Sequence, residues 1–274
     1  MGEPAEPRTV PRPDGWKPAL YDRFRTERRQ PALDLMALIE APAHAPRVLD
    51  LGCGTGELTR ELHERLGAVE TLGLDRSPAM LDAARARAGG GLHFAAREIA
   101  DAIADPALAG RFDVVFSNAA LHWLPEHRVL WPALARLLAP AGQLAIQIPA
   151  MDDDITHTAC EELAHAPDFA SALAGTTDRL PILRPEEYAA LLFAAGLRPP
   201  RVELRVYPHE LACREELVTW FRGSLLTTCE ARLTPELFHD FLDAWRERVF
   251  GVYSDAQPVF LGFRRVLMWA RRPT

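Results

Sequence analysis

The sequence predicts an α/β fold built on a doubly wound, mostly parallel sheet of seven strands, with N-terminal lid helices and helical cap insertions. Three observations predict it. Short apolar, β-prone runs alternate with stretches of helical period between residues 45 and 150, the rhythm of strand–helix–strand units. A glycine-rich turn joins the first run to the first helix of that series. The last two strand-like runs are separated by a long helical stretch, so the final strand pair is split by an insertion.

The elements follow in order. Residues 1–15 are rich in proline and charge and read as a disordered tail. Residues 16–42 read as lid helices: Leu20, Tyr21 and Phe24 mark one apolar face, Leu33, Leu35, Met36 and Ile39 another, and Pro31 suits the start of the second helix. Pro42 and Pro46 separate this lid from a core at 45–150. Core strands are expected at 47–51, 70–75, 91–95, 112–117 and 143–149, and helices at 57–66, 78–88 and 128–138. In the first helix Leu58, Leu62 and Leu66 recur four residues apart. Residues 151–184 break the rhythm with the acidic run Asp152 to Asp154 and a helix near 156–165, a first cap insertion. A helix at 185–195 carries Tyr188, Leu191 and Leu192 on one face, and a strand follows at 202–206. A second cap insertion at 212–252 holds helices at 214–227 and 235–249, and the last strand runs from 259 to 270. Residues 16–274 thus read as one domain.

The turn is Val48-Leu49-Asp50-Leu51-Gly52-Cys53-Gly54-Thr55-Gly56. Glycine tolerates φ > 0 and has no Cβ, so such a backbone can turn tightly and approach a ligand closely. Asp75 ends the next strand, about the ~20 residues beyond the turn expected of an acid that accepts from both hydroxyls of a ribose. Dinucleotide-binding turns read G-x-G-x-x-G and set a helix N-terminus against a pyrophosphate. Here the pattern is Asp-x-Gly-x-Gly-x-Gly, and Glu57 at the helix start would repel a pyrophosphate. Asp50 can hold a cationic amino group, directly or through water. S-adenosylmethionine carries an α-amino group and a sulfonium but no phosphate, so it fits this Rossmann-like turn better than a nicotinamide dinucleotide. A dehydrogenase is disfavoured on the same grounds.

Composition narrows the partners. Lys plus Arg is 31 against 38 for Asp plus Glu, a net charge of −7, which argues against nucleic acid held by a broad basic field. An anionic small substrate therefore needs a local basic pocket. Four cysteines (Cys53, Cys160, Cys213, Cys229) form no C-x-x-C pair and suit a reduced cytoplasmic protein. Cys53 reads as a small packing residue of the turn. No apolar run approaches the ~18 residues of a membrane span. Either a monomer or a homodimer is compatible with the sequence.

The chain resembles the trans-aconitate 2-methyltransferase family of class I S-adenosylmethionine-dependent methyltransferases from about Trp16 to Arg272. The resemblance rests on Trp16-x-Pro18-x-Leu20-Tyr21, Arg28 and Pro31, Asn118-Ala119-Ala120-Leu121-His122-Trp123-Leu124, Gln147-x-Pro149, Thr156-His157 and Arg265. It implies formation of a methyl ester on a carboxylate of a small acid. Three positions depart from the family's pattern. Met151 stands where Asn is usual. Trp220 to Thr228 lacks the arginine of the family's Trp-x-x-Gly-Thr-x-Leu-Arg-Pro, and the family's Tyr-Pro before the last strand is replaced near Phe250 to Val252. These losses suit an acceptor with fewer carboxylates.

The resemblance and the turn together give a cofactor set of Asp50, Gly52, Cys53, Gly54, Gly56, Asp75, Arg76, Met80, Glu98, Ile99 and Asn118. Residues 75–80 supply ribose contacts first and then, through Ser77 and Met80, contacts near the adenine; core packing is the competing role for Met80. In this superfamily an acid in the place of Glu98 commonly accepts from the adenine amino group, and the next apolar residue, Ile99, packs on the ring. A solvated loop carboxylate is the alternative for Glu98. Asn118 ends a strand at the crevice where ligands sit in such sheets.

Substrate candidates are Tyr21, Arg28, His122, Trp123, Gln147, His157, Arg222 and Arg265, with His122 and Trp123 as positioning residues. Arg222 and Arg265 read more readily as solvated surface charges than as substrate ligands, Trp123 reads equally as packing under the lid, and Tyr21 and Arg28 equally as structural helix residues. A carboxylate nucleophile is ionised at neutral pH, so no catalytic base, triad or metal is required. The run Asp152-Asp153-Asp154 reads as a solvated loop, not a metal site. Two other readings stay open: a methyltransferase of another small acceptor or of a carboxyl on an acyl-carrier protein, and a cofactor-binding protein without turnover.

Overall fold

The computed structural model describes residues 25–174 and 182–274. The expected tail, the first lid helix and Tyr21 lie outside the described residues, as does the side chain of Arg28. The chain divides into two compact units. A sheet unit holds Gln30–Pro149, Leu183–Arg205 and Arg265–Thr274. A helical unit is built from Ala150–Ile182 and Val206–Arg264.

The described chain opens with helix α1 (Arg25–Met36), which runs straight through Pro31. Pro31 therefore does not begin a helix as expected. Burial of Ala32, Leu35 and Met36 in the turns that follow outweighs the hydrogen bond the proline removes. The core then alternates: β1 (Arg47–Leu51), α2 (Glu57–Leu66), β2 (Glu70–Asp75), α3 (Pro78–Arg85), β3 (Leu92–Ala96), α4 (Ile99–Ala104), β4 (Phe112–Asn118), α5 (His127–Ala135) and β5 (Leu138–Pro149). Next come α6 (Ile155–Ala164), α7 (Pro167–Leu173), α8 (Pro185–Ala194), β6 (Arg201–Leu211), α9 (Arg214–Arg222), α10 (Thr227–Arg232), α11 (Pro235–Val252) and β7 (Val259–Arg271).

The seven strands form one sheet, as the sequence predicts, in the order β3-β2-β1-β4-β5-β7-β6. β1 pairs in parallel with β2 and β4, β2 with β3, and β4 with β5, while β7 pairs antiparallel with β5. The chain winds outward from β1 through β2 to β3, then returns to place β4 on the other side of β1. That reversal is the switch point where α/β sheets bind ligands, beyond the carboxyl ends of the strands.

Several boundaries differ from expectation for local reasons. β5 starts at Leu138, not 143, because Leu138 pairs with Phe112 before a register shift, and Ala141 turns with φ +61°. The Pro140-Ala141-Gly142 sequence reads as a turn although it sits within a strand. β6 runs on through Pro208 to Leu211; an edge strand is where a sheet tolerates a proline. The helix expected at 214–227 breaks at Gly223 into α9 and α10. Short α4 and α7 carried too few turns to show a period. On α2 the inward residues are Thr59, Leu62 and His63, one step round from the leucine stripe. His63 is held there by Thr71 Oγ1 at 2.8 Å and the Gly90 carbonyl at 3.0 Å.

The helical unit has its own core, with Trp220, Phe221, Phe241 and Trp245 buried together with Leu163 and Leu217. Trp245 Nε1 donates to the Thr156 carbonyl at 2.9 Å. Met151 also belongs to this core, 2% exposed, its sulfur accepting from the Arg264 amide. The residue that replaces the family's usual Asn thus serves packing. No described helix is long and apolar enough to cross a membrane.

Candidate active site

The tips of β1, β2 and β4 come together in the sheet unit, and the glycine turn spans them. Gly52 N and Cys53 N both donate to the Leu74 carbonyl at 2.8 and 2.9 Å, which pins the turn to the end of β2. Gly52 has φ +81°, and a Cβ built on it would lie 2.2 Å from the Cβ of Ala120. That position is therefore closed to any side chain, by backbone conformation and by contact with the chain leaving β4. Gly54, at φ +55°, faces open space within 4 Å. Ile99 reaches the same turn, its Cδ1 3.8 Å from the Cβ position of Gly52. Cys53 is 8% exposed, and burial pushes its thiol well above the usual range. Such burial disfavours a thiolate and suits a packing residue.

Asp75 organises the second wall. Its Oδ2 accepts from Gly54 N and its Oδ1 from Ser77 N, both at 2.9 Å. Each carboxylate oxygen keeps lone-pair capacity for a further donor, so a ribose diol can be accepted without breaking either bond. Ser77 caps α3, accepting from Met80 N at 3.4 Å, and Met80 is half-buried. Arg76 and Glu98 face each other across the surface, Nη1 to Oε1 at 3.9 Å, with Glu98 half-exposed at the start of α4.

Asp50 is the most unusual group. It is 3% exposed at the end of β1 and accepts from Thr59 Oγ1 at 2.6 Å. Burial raises its carboxyl to about 7, against the opposing effect of the Thr59 bond, and the negative charge of Asp75 adds to the rise. Thr59 is a site residue the sequence reading missed; a small polar residue on the buried face of α2 was the available signal. A cation bound beside Asp50 favours its ionised form. Cofactor affinity is therefore expected to fall as pH drops from about 7 toward 5.5, because the free protein must lose a proton to bind. Titration calorimetry over that range checks this, and Asp50→Asn flattens the profile if Asp50 is the group. The same shift fixes the sign for folding. The folded carboxyl holds its proton more tightly than the unfolded one, so the stabilisation is full below about pH 4 and is lost as pH rises through about 7.

At the end of β4, Ser117 Oγ donates to the Leu51 carbonyl at 2.8 Å and ties β4 to β1. Asn118 Oδ1 is buried with no hydrogen-bond partner among the described residues. Ala119 turns at φ +53°, and residues 121–123 make one 3₁₀ turn carrying His122 and Trp123, their rings 4.5 Å apart. Trp123 is 44% exposed. Asn118 lies in register with Gln147 of β5. Gln147 pairs with Leu267 of β7 and Arg265 lies two residues from it, so all three polar residues share one face of the sheet. Gln147 is fully buried; its Oε1 accepts from Arg265 Nη1 at 3.3 Å, and its Nε2 has no partner among the described residues. Arg265 is 6% exposed, which excludes a solvated surface charge.

The other two candidates belong to the helical unit. His157, on α6, meets Thr156 Oγ1 at 3.1 Å and the edge of Phe221. Arg222 ends α9 in an ion pair with Glu230 and lies 5.6 Å from the Phe238 ring centre. Within the acidic run, Asp153 pairs with Arg264 and Asp154 caps α6 through Thr156 N at 2.9 Å. A cleft of about 750 Å³ in this unit, lined by Asp153, Asp154, Tyr253, Phe260 and Arg264, contains none of the candidates drawn from the sequence. Among the described residues no group of His, Cys, Asp and Glu is arranged to hold a metal ion.

The residues present fit a nucleoside cofactor that is cationic and carries no phosphate. Asp75 offers oxygens for a sugar diol, Asp50 a buried carboxyl that gains from a neighbouring cation, and Gly54 an open approach. A doubly wound sheet with this turn at its switch point defines a class I S-adenosylmethionine-dependent methyltransferase. A methyltransferase-domain family model matches residues 48–142. Solved structures agree on the fold. The phosphoethanolamine N-methyltransferase 2 of Haemonchus contortus, in complex with S-adenosyl-L-methionine, gives a TM-score of 0.53 at 17% identity, covering 89% of this chain and 53% of that one. The YcgJ protein of Bacillus subtilis gives 0.57 at 14% identity, covering 91% and 99%. Among curated proteins, the trans-aconitate 2-methyltransferase of Deinococcus radiodurans is 38% identical over 264 residues, covering 94% of this chain and 98% of its own. That of Methylobacterium radiotolerans is 39% identical over 267 residues with the same coverage. The chain belongs to the trans-aconitate 2-methyltransferase family, and its cofactor is S-adenosylmethionine.

Proposed function

We propose that this enzyme forms a methyl ester on a carboxylate of a small polycarboxylic acid, and that trans-aconitate, the acid in the name of its relatives, is the acceptor. The observation that carries the reading is the buried Gln147–Arg265 pair beside Asn118. An amide N–H group without a partner among the described residues and a buried guanidinium suit an anion, and a guanidinium fork matches a carboxylate.

When bound, S-adenosylmethionine supplies a methyl carbon on a cationic sulfur that departs as a neutral thioether. The chain's own residues do the rest. Asp75 accepts from the ribose, Asp50 balances the cationic end, and Gly52, Cys53, Gly54 and Gly56 give the backbone its close approach. Arg76, Met80, Glu98 and Ile99 border the base, and Asn118 the methionine part. Gln147 and Arg265 hold one carboxylate of the acceptor so that another faces the methyl carbon, with His122 and Trp123 setting its angle. For Tyr21, Arg28, His157 and Arg222 a substrate role rests on the resemblance in sequence alone. An ionised carboxylate needs no base, because its pKa is about 4. Catalysis is then orientation in a water-poor pocket. All four cysteines are free thiols, which suits the cytoplasm as the proposed setting.

Turnover of labelled S-adenosylmethionine with trans-aconitate, beside cis-aconitate, citrate, isocitrate and malonyl conjugates, tests the proposal. Methyl-ester product on trans-aconitate is expected to exceed the others. Cofactor binding with no ester on any of these acids would overturn the acceptor class.

A further inference from the structure

The turn that carries His122 and Trp123 is weakly self-supported. It opens after Ala119 at φ +53°, and Glu126 beyond it has φ +59°; neither is glycine, so both hold a conformation that L side chains disfavour. Between them stands a single 3₁₀ turn, with Trp123 N bonded to the Ala120 carbonyl at 3.3 Å and Leu124 N to the Leu121 carbonyl at 3.1 Å, while Ala119 N donates to the Gln147 carbonyl of β5 at 2.9 Å. One turn of 3₁₀ helix has poor hydrogen-bond geometry and does not hold such a segment alone.

Further support comes from two residues outside the site. His127 Nε2 meets the Leu121 carbonyl at 3.2 Å, and its Nδ1 meets Tyr188 Oη at 2.7 Å. The Tyr188 hydroxyl also accepts from Leu183 N at 3.2 Å. A carbonyl only accepts, so Nε2 carries the proton and Nδ1 receives the Tyr188 hydroxyl. The bonds then run in one direction, from Leu183 N–H through Tyr188 and His127 to Leu121 O. His127 is 5% exposed and Tyr188 fully buried, with Trp131 stacked on Tyr188 at 4.8 Å. Burial lowers the imidazole pKa from its ordinary value, against the opposing effect of the Leu121 and Leu124 carbonyls, which favours the neutral ring.

We propose that His127 and Tyr188 are positioning residues of this methyltransferase: through the Leu121 carbonyl they fix the turn that presents His122 and Trp123 to the acceptor. The inference rests on the reading above that this turn faces the acceptor. It adds two buried residues, one of them on α8, to the machinery that sets acceptor geometry.

The test uses the full chain with His127→Phe, Tyr188→Phe and His127→Gln. Cofactor affinity by calorimetry, acceptor kinetics and hydrogen exchange of the 119–126 peptide are measured for each. His127→Phe and Tyr188→Phe are expected to speed exchange in that peptide and to lower acceptor kcat/KM about tenfold to hundredfold, as misplacement of a positioning group does. Cofactor affinity should stay within about twofold of the parent, since neither residue is in the cofactor set. His127→Gln, which keeps a donor and an acceptor, is expected to restore most of the loss. Unchanged acceptor kinetics in both phenylalanine variants overturn the proposal, whatever the exchange shows. If His127→Phe does not fold, Tyr188→Phe decides alone. Trp123→Ala separates the two readings. If it raises acceptor KM while the phenylalanine variants do not, the positioning role alone falls. If it changes nothing, the acceptor-facing turn falls as well.

Discussion

Replacing Gly52 with alanine is expected to cost the protein both stability and its cofactor. The new methyl group would stand 2.2 Å from the Ala120 Cβ, and the backbone would still have to hold φ +81°. Left-handed strain for a non-glycine residue is about 1 kcal/mol and overpacking typically ~1–3 kcal/mol, so a loss of roughly 2–4 kcal/mol follows. For a chain of this size that is a fall in Tm on the order of 5–10 °C. The turn can relieve the clash only by moving away from β4, which pulls Gly54 N from Asp75. S-adenosylmethionine affinity should then fall about a hundredfold or more, the loss of two charge-assisted hydrogen bonds. Calorimetry on the folded variant at low temperature measures this. Adding Ala120→Gly removes the steric half and leaves the strain, so partial recovery is expected. Cofactor affinity within about threefold of the parent in Gly52→Ala would show that the turn is not the binding element.

The second large effect is expected at Arg265. Arg265→Ala removes a buried guanidinium from the face shared by Gln147 and Asn118. A buried hydrogen bond to a charged group is worth about 1.5–3 kcal/mol, so acceptor kcat/KM should fall roughly tenfold to hundredfold, with cofactor affinity little changed. Arg265→Lys keeps the charge and loses the planar fork, and should recover only part of the rate. Gln147→Leu, which removes the amide donor and keeps the bulk, should raise acceptor KM in the same direction. Unchanged acceptor kinetics in Arg265→Ala would place carboxylate recognition elsewhere and remove the main support for an acid acceptor.

The parts of this molecule legible in the sequence are those set by short-range pattern. The apolar runs of β1, β2 and β4, the glycine turn and Asp75 follow from local composition, and the structure reproduces the strands within a residue. What stayed hidden depends on partners distant in the chain. Arg264 and Arg265 are adjacent arginines with nothing local to tell them apart; β pleating sends one to Asp153 and buries the other beside Gln147. Most of β7 is buried on both faces, so alternation gave no warning. The Asp50–Thr59 bond joins a strand to a helix, and period reading keeps those elements separate. His127 and Tyr188 lie 61 residues apart and read only as core residues of two unrelated helices.

Asp75 holds both ends of the crevice wall, Gly54 N on one oxygen and Ser77 N on the other. In the proposed cofactor site these two bonds are made within the chain itself and hold the backbone of the wall in place. Little backbone ordering remains to oppose association at this wall, so the heat-capacity change of binding here should report the ligand's own apolar burial and no coupled folding. Conformational selection becomes a minor kinetic term at this wall, and the encounter is limited by orientation rather than by rearrangement.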